Sequence, residues 1–356
     1  MRHLHRNDRA TFHNMPMGDP LRSSRMDVGY FANARHVIRN QFIKRERTLM
    51  TQPRWYNFYV LNPTRRVRYY AIYAIDEGGF GKVWSGILET GIPVAIKIIK
   101  PSSDFLRDFT SWFTEQDICL KCLTHHHIVT TFDQFISKDG HLVLVMEKAS
   151  GSLEDLLNNG NPFEPMWVCI IGTQILSALH HIHSIGVIHR DVTLKNILWF
   201  PGGIFKLADF GISKKVVSVD ELARTFIGHK NFISPELLSA GYSSYQSDIY
   251  QLGLVLLTLL IGKDPIPMNA TVEETRRMII EGIPRQVAES LINKHGRLAE
   301  ILSVMLRRRD AWRYKTAIDV WSDLYNEFDQ RKRLEEIVER LRRQPHPKLS
   351  PRLIKT

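Results

Sequence analysis

With 356 residues, 44% of them hydrophobic, the chain is long enough to bury a large core and too apolar for an intrinsically disordered protein. Three cysteines, Cys119, Cys122 and Cys169, exclude a disulfide framework and fit a reducing, cytoplasmic setting. The net charge of +11 is confined to one end: residues 1–70 hold 14 Lys+Arg and 4 Asp+Glu, the remainder 34 and 33.

In chain order, residues 1–68 form a basic extension. Its first 50 residues lack periodicity, apart from a short helix around Ala34 to Arg45, and read as largely disordered. Such a tail is either a solvated segment or a contact for nucleic acid or an anionic surface. Trp55 to Leu61 is more apolar and suits packing on the domain that follows. Tyr69 to Lys100 reads as three strands, the first ending at Ile75, the second Lys82 to Leu88 and the third Pro93 to Ile99. Between the first two lies a turn, Asp76-Glu77-Gly78-Gly79-Phe80-Gly81, whose glycines let backbone amides approach phosphates without a Cβ clash. Phe105 to Leu123 has apolar residues at helical spacing. His125-His126-His127 then reads as a loop, since adjacent residues do not face one metal.

Leu142 to Met146 is a fully apolar strand running into Glu147-Lys148-Ala149. Ser152 is a plausible N-cap for a helix opening at Leu153, and Trp167 to Ile185 forms a long apolar helix. Ile197 to Phe200 and Ile204 to Leu207 flank Pro201-Gly202-Gly203 and predict a hairpin that brings Asp191, Asn196 and Asp209 to one end. Two acceptor side chains and a carboxylate base in a small volume suit Mg²⁺. The most apolar run, Leu252 to Ile261, is ten residues long, too short to cross a bilayer, and the N-terminus lacks a secretory h-region, so no membrane span is expected. A last helix runs from after Thr316 to about Arg343, its second half a solvated amphipathic face, before a basic tail; residues 326–356 form this C-terminal piece.

His189-Arg190-Asp191 with Asn196, followed by Asp209-Phe210-Gly211, resembles the catalytic and metal loops of the eukaryotic-type protein kinases, H-R-D-x-x-x-x-N and D-F-G. Gly78, Gly81 and Val83 fit that family's glycine-rich loop, with Asp76 standing where its first glycine belongs. Val94-Ala95-Ile96-Lys97 fits its strand lysine, and Ser234-Pro235-Glu236 closes its activation segment. The resemblance covers roughly residues 69–325. It implies an α+β fold of two lobes: an antiparallel sheet with one helix (about 69–148) and a mainly helical lobe (about 149–325), with ATP between them.

The resemblance also assigns roles. Asp191 would orient or deprotonate a protein hydroxyl, and Lys97 would hold the α- and β-phosphates, paired with Glu115 or its neighbour Gln116. Asn196 and Asp209 would hold Mg²⁺. Ile75, Gly78, Gly79, Phe80, Gly81, Val83, Ala95 and Leu198 would enclose the nucleotide, with Met146 behind adenine and the backbone of Glu147 and Ala149 at its edge. Asp248 would hold the catalytic-loop backbone and Arg313 would pair with Glu236. Thr225 is the expected site of an activating phosphate. Thr193 and His229 stand where Ser/Thr kinases carry Lys and Thr, an exchange that would move the cation-capable group to the activation segment. The implied partner is a protein substrate carrying Ser/Thr hydroxyls; the alternatives are a pseudokinase that binds partners with weak or no catalysis, and a small-molecule kinase.

Overall fold

A computed structural model describes residues 58–78, 81–99, 124–157, 160–209, 232–267 and 269–343, all within the compact unit Arg54–Thr356. The amino-terminal half of this unit is one antiparallel sheet, ordered β1-β2-β3-β4-β6-β5. Its strands are β1 (Phe58–Leu61), β2 (Arg68–Gly78), β3 (Gly81–Leu88), β4 (Pro93–Ile99), β5 (Thr131–Ile136) and β6 (Leu142–Glu147). Alternation drives it: Val94 and Ile96 of β4 and Val143 and Val145 of β6 point to one core with Tyr69, Ala71 and Phe135.

A buried polar latch joins β2 and the turn after β1 to β5. Tyr69 of β2 donates its hydroxyl to Asp133 of β5 at 2.5 Å, and the Asn62 amide donates to the same carboxylate oxygen at 2.7 Å. The Tyr69 and Phe135 rings stack beside it at 5.8 Å. Burial together with the Asp133 carboxylate raises the Tyr69 pKa, so this phenol stays a donor.

Two boundaries differ from the expectation. The sheet begins at Phe58, inside the segment read as extension, because β1 pairs with Arg68–Ala71 and its Phe58 ring packs edge-on against Trp84 at 4.8 Å. The first predicted strand also does not stop at Ile75. It continues to Gly78, which pairs with Gly81, so only two residues join β2 to β3. β5 had no sequence reading of its own; its polar Asp133 and Gln134 break the apolar alternation.

The other half is helical around a small three-stranded sheet of β7 (Gly151–Ser152), β8 (Ile197–Phe200) and β9 (Ile204–Leu207). Helices α1 (Leu153–Leu157), α2 (Pro165–Ser184), α3 (Pro235–Ala240), α4 (Tyr245–Ile261), α5 (Val272–Glu281), α6 (Ile283–Ser290), α7 (Ile292–His295), α8 (Arg297–Met305) and α9 (Ala317–Arg343) follow in order. Ser152 caps α1 as expected, its hydroxyl accepting the Asp155 N–H at 3.2 Å while Asp155 accepts the Ser152 N–H at 3.0 Å.

α4 is the axis of this half: every residue from Ser247 to Leu260 is buried, polar ones included. Its end is fixed by Gly262 at φ 76°, where a Cβ would lie 2.6 Å from the Gly160 carbonyl oxygen and 2.7 Å from the Pro162 nitrogen. α2 is apolar and long enough to cross a membrane, longer than the run singled out from the sequence, but 72% of its apolar window is buried in the protein. It packs on α9, α4 and β9 as a core helix. α9 buries Val320 and Leu324, whereas Leu334 and Ile337 further along are exposed.

Candidate active site

The site grows from the chain between α2 and β8. Arg190 sits at φ 69°, a left-handed backbone costly for a residue with a Cβ, so something must hold it there. Asp248 of α4 does so from beneath: one carboxylate oxygen accepts the His189 N–H at 2.9 Å and the other the Arg190 N–H at 2.8 Å. His183, at the end of α2, meets the first of these oxygens through Nε2 at 2.8 Å. The expected role of Asp248 is therefore present in the geometry.

His189 is buried and bridges two loops. Its Nε2 bonds the Ala208 carbonyl at 3.0 Å, and its Nδ1 accepts the Asp191 N–H at 3.3 Å. That pair of bonds requires the neutral ring with its proton on Nε2, and burial pushes the His189 pKa down in agreement. Asn196 turns back on the same loop, donating Nδ2–H to the Asp191 carbonyl at 2.8 Å and to its carboxylate at 2.9 Å. With the amide nitrogen so used, Asn196 presents its oxygen as the atom for a cation. Asp209, also at positive φ (60°), is ion-paired with Lys97 of β4. The Lys97 side chain is 10% exposed and that of Asp209 41%, so a carboxylate faces solvent with a buried ammonium behind it. Asp191 with Asn196, and Asp209 with Lys97, thus form two pairs, on loops joined by the Ala208 N–H, which the Asn196 carbonyl accepts at 2.8 Å. Hard oxygen donors from Asn196 and Asp209 fit Mg²⁺, and a buried lysine beside them fits a polyphosphate.

The remaining predicted nucleotide residues fall into two groups. Met146, Ala149 and Leu198 belong to one apolar cluster with Val129, Phe200 and Ala208. Ala95 pairs with Met146 across β4 and β6, and Val83 pairs with Lys97 across β3 and β4. Ile75 lies in the irregular stretch of β2 between the Ala74–Trp84 and Asp76–Val83 pairs and is exposed. Gly79, Phe80 and Glu115 lie outside the described residues, as do Gln116, Thr225 and His229.

Three of these positions have contacts within the protein. Gly81 is glycine for the strand beneath it: at φ 144° a Cβ there would stand 2.4 Å from the Ile98 carbonyl oxygen. Asp76 turns its carboxylate onto the Glu77 N–H at 3.0 Å in an exposed strand position. The Glu147 N–H is already bonded to the Thr130 carbonyl at 3.0 Å, so that amide is not open to a ligand.

The side-chain contacts of Glu147 had no sequence reading. The Glu147 carboxylate takes both of its oxygens to the Lys206 ammonium, at 2.7 and 2.9 Å, tying the end of β6 to β9 across the two halves. Its Oε1 also accepts the Thr130 N–H at 2.7 Å. A glutamate and a lysine 59 residues apart carry no local signal. Lys195 reaches toward Glu154 of α1 at 3.9 Å. Thr193 is buried, and its hydroxyl has no hydrogen-bond partner.

Away from the chemistry, the predicted Glu236–Arg313 pair is present and bidentate, at 2.8 and 2.7 Å, with both side chains almost fully buried. Arg313 spends its other protons on the carbonyls of Gln246, Arg307 and Arg308, and its guanidinium lies 4.7 Å over the Tyr250 ring. The Glu236 carboxyl is held below the usual range: burial opposes this, but the Arg313 bonds and charge outweigh it. Among the described residues no cluster of His, Cys, Asp and Glu has metal-binding geometry, the three-histidine loop included.

A family model described as the protein kinase domain matches residues 69–335. The chain is 30% identical over 228 residues to the serine/threonine-protein kinase PLK4 of Nematostella vectensis, covering 62% of this chain and 23% of that one. It is 29% identical over 262 residues to the serine/threonine-protein kinase PknL of Mycobacterium tuberculosis, covering 72% and 65%. Among solved structures it is similar to Rad53 1–466 in complex with AMP-PNP, with a TM-score of 0.57 and 25% identity over 70% of this chain and 62% of that one. The chain therefore spans from about a quarter to just under two thirds of the length of these curated relatives.

Proposed function

The chain belongs to the protein kinase family, with that family's two-lobed fold, and on that premise we propose that it transfers the γ-phosphoryl group of ATP to Ser/Thr hydroxyls of protein substrates. The observation that carries this reading is the two side-chain pairs Lys97–Asp209 and Asn196–Asp191, on loops joined by the bond from the Ala208 N–H to the Asn196 carbonyl. A catalytic carboxylate, a phosphate-facing ammonium and two oxygen donors for a cation are what phosphoryl transfer asks of a protein, because the reaction depends on positioning and charge neutralisation.

In this reading Asp191 accepts the proton of the substrate hydroxyl, or orients that hydroxyl, while Asn196 fixes the carboxylate through its amide. Lys97 faces the α- and β-phosphates. Asn196 and Asp209 would hold Mg²⁺, which would supply neutralisation of charge on the phosphates. Met146, Ala149 and Leu198 supply the apolar surface against adenine. A phosphate on Thr225 regulates the enzyme.

The test is incubation of the full chain with Mg²⁺ and ATP carrying a labelled γ-phosphate, with casein as acceptor, followed by phosphoamino-acid analysis. Label on serine and threonine supports the reading; label on tyrosine alone would move the specificity. Nucleotide binding without transfer would favour the pseudokinase.

A further inference from the structure

Gln251 is a polar residue in the most apolar helix of the protein, only 3% exposed between Tyr250 and Leu252. Its side-chain amide makes three hydrogen bonds. Nε2 donates to the Arg190 carbonyl at 3.1 Å and to the Phe232 carbonyl at 2.9 Å, and Oε1 accepts the Val192 N–H at 3.2 Å. Arg190 and Val192 are the residues on either side of Asp191, and Phe232 lies two residues before Ser234-Pro235-Glu236.

Asp248 and Gln251 are three residues apart on α4 and therefore share a face. Between them they hold the His189 N–H, the Arg190 N–H, the Arg190 carbonyl and the Val192 N–H. Asp248, an acceptor only, can hold nothing but N–H groups; the carbonyl needs a donor, which the Gln251 amide supplies. The peptide units flanking Asp191 are thus fixed on both sides, one of them at the strained Arg190 backbone. The second Nε2 proton reaches a different segment, the chain leading into α3.

We infer that Gln251 is a positioning residue for the phosphoryl-transfer reaction, which sets Asp191 in register with the segment entering α3, where a peptide substrate would lie. This rests on the reading of the chain as an active kinase. Through the Arg190 and Val192 contacts Gln251 governs kcat; through Phe232 it governs peptide KM; its three hydrogen bonds reach none of the described residues of β2–β4, the region that would hold ATP.

The experiment compares wild-type protein with Gln251→Met, which keeps the volume and loses all three bonds, and Gln251→Ser, which leaves room for water. Steady-state kinetics with a peptide substrate should show kcat down at least tenfold, peptide KM up severalfold and ATP KM within about twofold, since a 1 Å displacement of catalytic groups has effects of this size. In the intact wild-type chain, amide hydrogen exchange should find the Val192 N–H as protected as those of His189 and Arg190, a readout that needs no variant to fold. An unchanged kcat in a folded variant, an equal rise in both KM values, or rapid exchange at Val192 would overturn the inference. An inactive wild-type chain with a protected Val192 would instead sink the kinase reading and leave the positioning contact standing.

Discussion

The two sides of the cleft are held by different physics. Around Asp191, main-chain groups are gripped by buried side chains from an apolar helix, Asp248 and Gln251, and His189 and Asn196 close the loop on itself. Across the cleft, Ile75 to Glu77 and Gly81 to Val83 sit on strands with register shifts and partly exposed residues, kept in place by sheet pairing. Geometry needed to within a fraction of an ångström is thus built from buried, paired polar groups, whose loss is costly. Ile75 to Glu77 and Gly81 to Val83 carry no such network among the described residues; the buried Tyr69–Asp133 bond lies toward the other end of β2.

Variants on the two sides should therefore fail in different ways. The largest effect is expected at the linked charges: Lys97→Met and Asp209→Asn should each lower phosphoryl transfer at least ~100-fold, roughly the size of one electrostatic contribution, with thermal unfolding little changed. Transfer within tenfold of wild type in either variant would show that these groups do not carry the chemistry. Next is the buried support under the peptide side. Arg313→Ala strands the Glu236 carboxylate and should cost about 3–5 kcal/mol of stability in urea unfolding. A loss below about 1 kcal/mol would mean that solvent reaches the pair.

The third effect is on pH. Burial holds the His127 pKa well below its ordinary value, at about 4, while its Nδ1 bonds the Phe205 carbonyl at 3.0 Å. Unfolding frees the ring to take a proton below pH ~6.5. Stability contributed by the neutral ring is therefore present above that pH and lost as pH falls from ~6.5 to about 4, by up to roughly 3 kcal/mol. His189, displaced in the same direction, adds to the slope. Denaturation midpoints at pH 7.5 and 5 should show the drop, and His127→Gln should flatten it; an equal slope in the variant would assign the drop elsewhere. The smallest effect belongs to the opposite side of the cleft. Asp76→Gly should change ATP KM by no more than about fivefold, because this exposed, self-bonded carboxylate is screened by water.

Legibility in the sequence follows the same division. The β8–β9 hairpin was readable because two short apolar runs flank a Gly-containing turn, whereas the catalytic-loop residues, Asp248 and the Glu236–Arg313 pair were readable through the motifs by which the chain resembles the kinase family. The reach of β2 to Gly78 was not, because Asp76, Glu77 and Gly78 are poor strand formers whose conformation comes from pairing with Val83, Lys82 and Gly81. β1 lies in Trp55 to Leu61, whose apolar character pointed to packing on the domain but not to a strand, and it becomes a strand against β2. Glu147 reads as the end of an apolar strand; its bond to Lys206 depends on how the two halves meet, which spacing does not encode. Gln251, just before the apolar run Leu252 to Ile261, had no sequence reading; its burial in α4 makes it informative.

The account turns on Asp191 acting in chemistry and not in binding. The direct measurement is a paired one on Asp191→Asn and wild type: affinity for ATP with Mg²⁺ by calorimetry, and the rate of label transfer to casein. Asparagine keeps the shape, the main-chain N–H still donates to the His189 ring and the side-chain oxygen can still accept from the Asn196 amide, so nucleotide affinity should stay within about threefold while transfer falls at least ~100-fold. Equal transfer rates in the two proteins would contradict the assignment of Asp191 as the residue that engages the substrate hydroxyl.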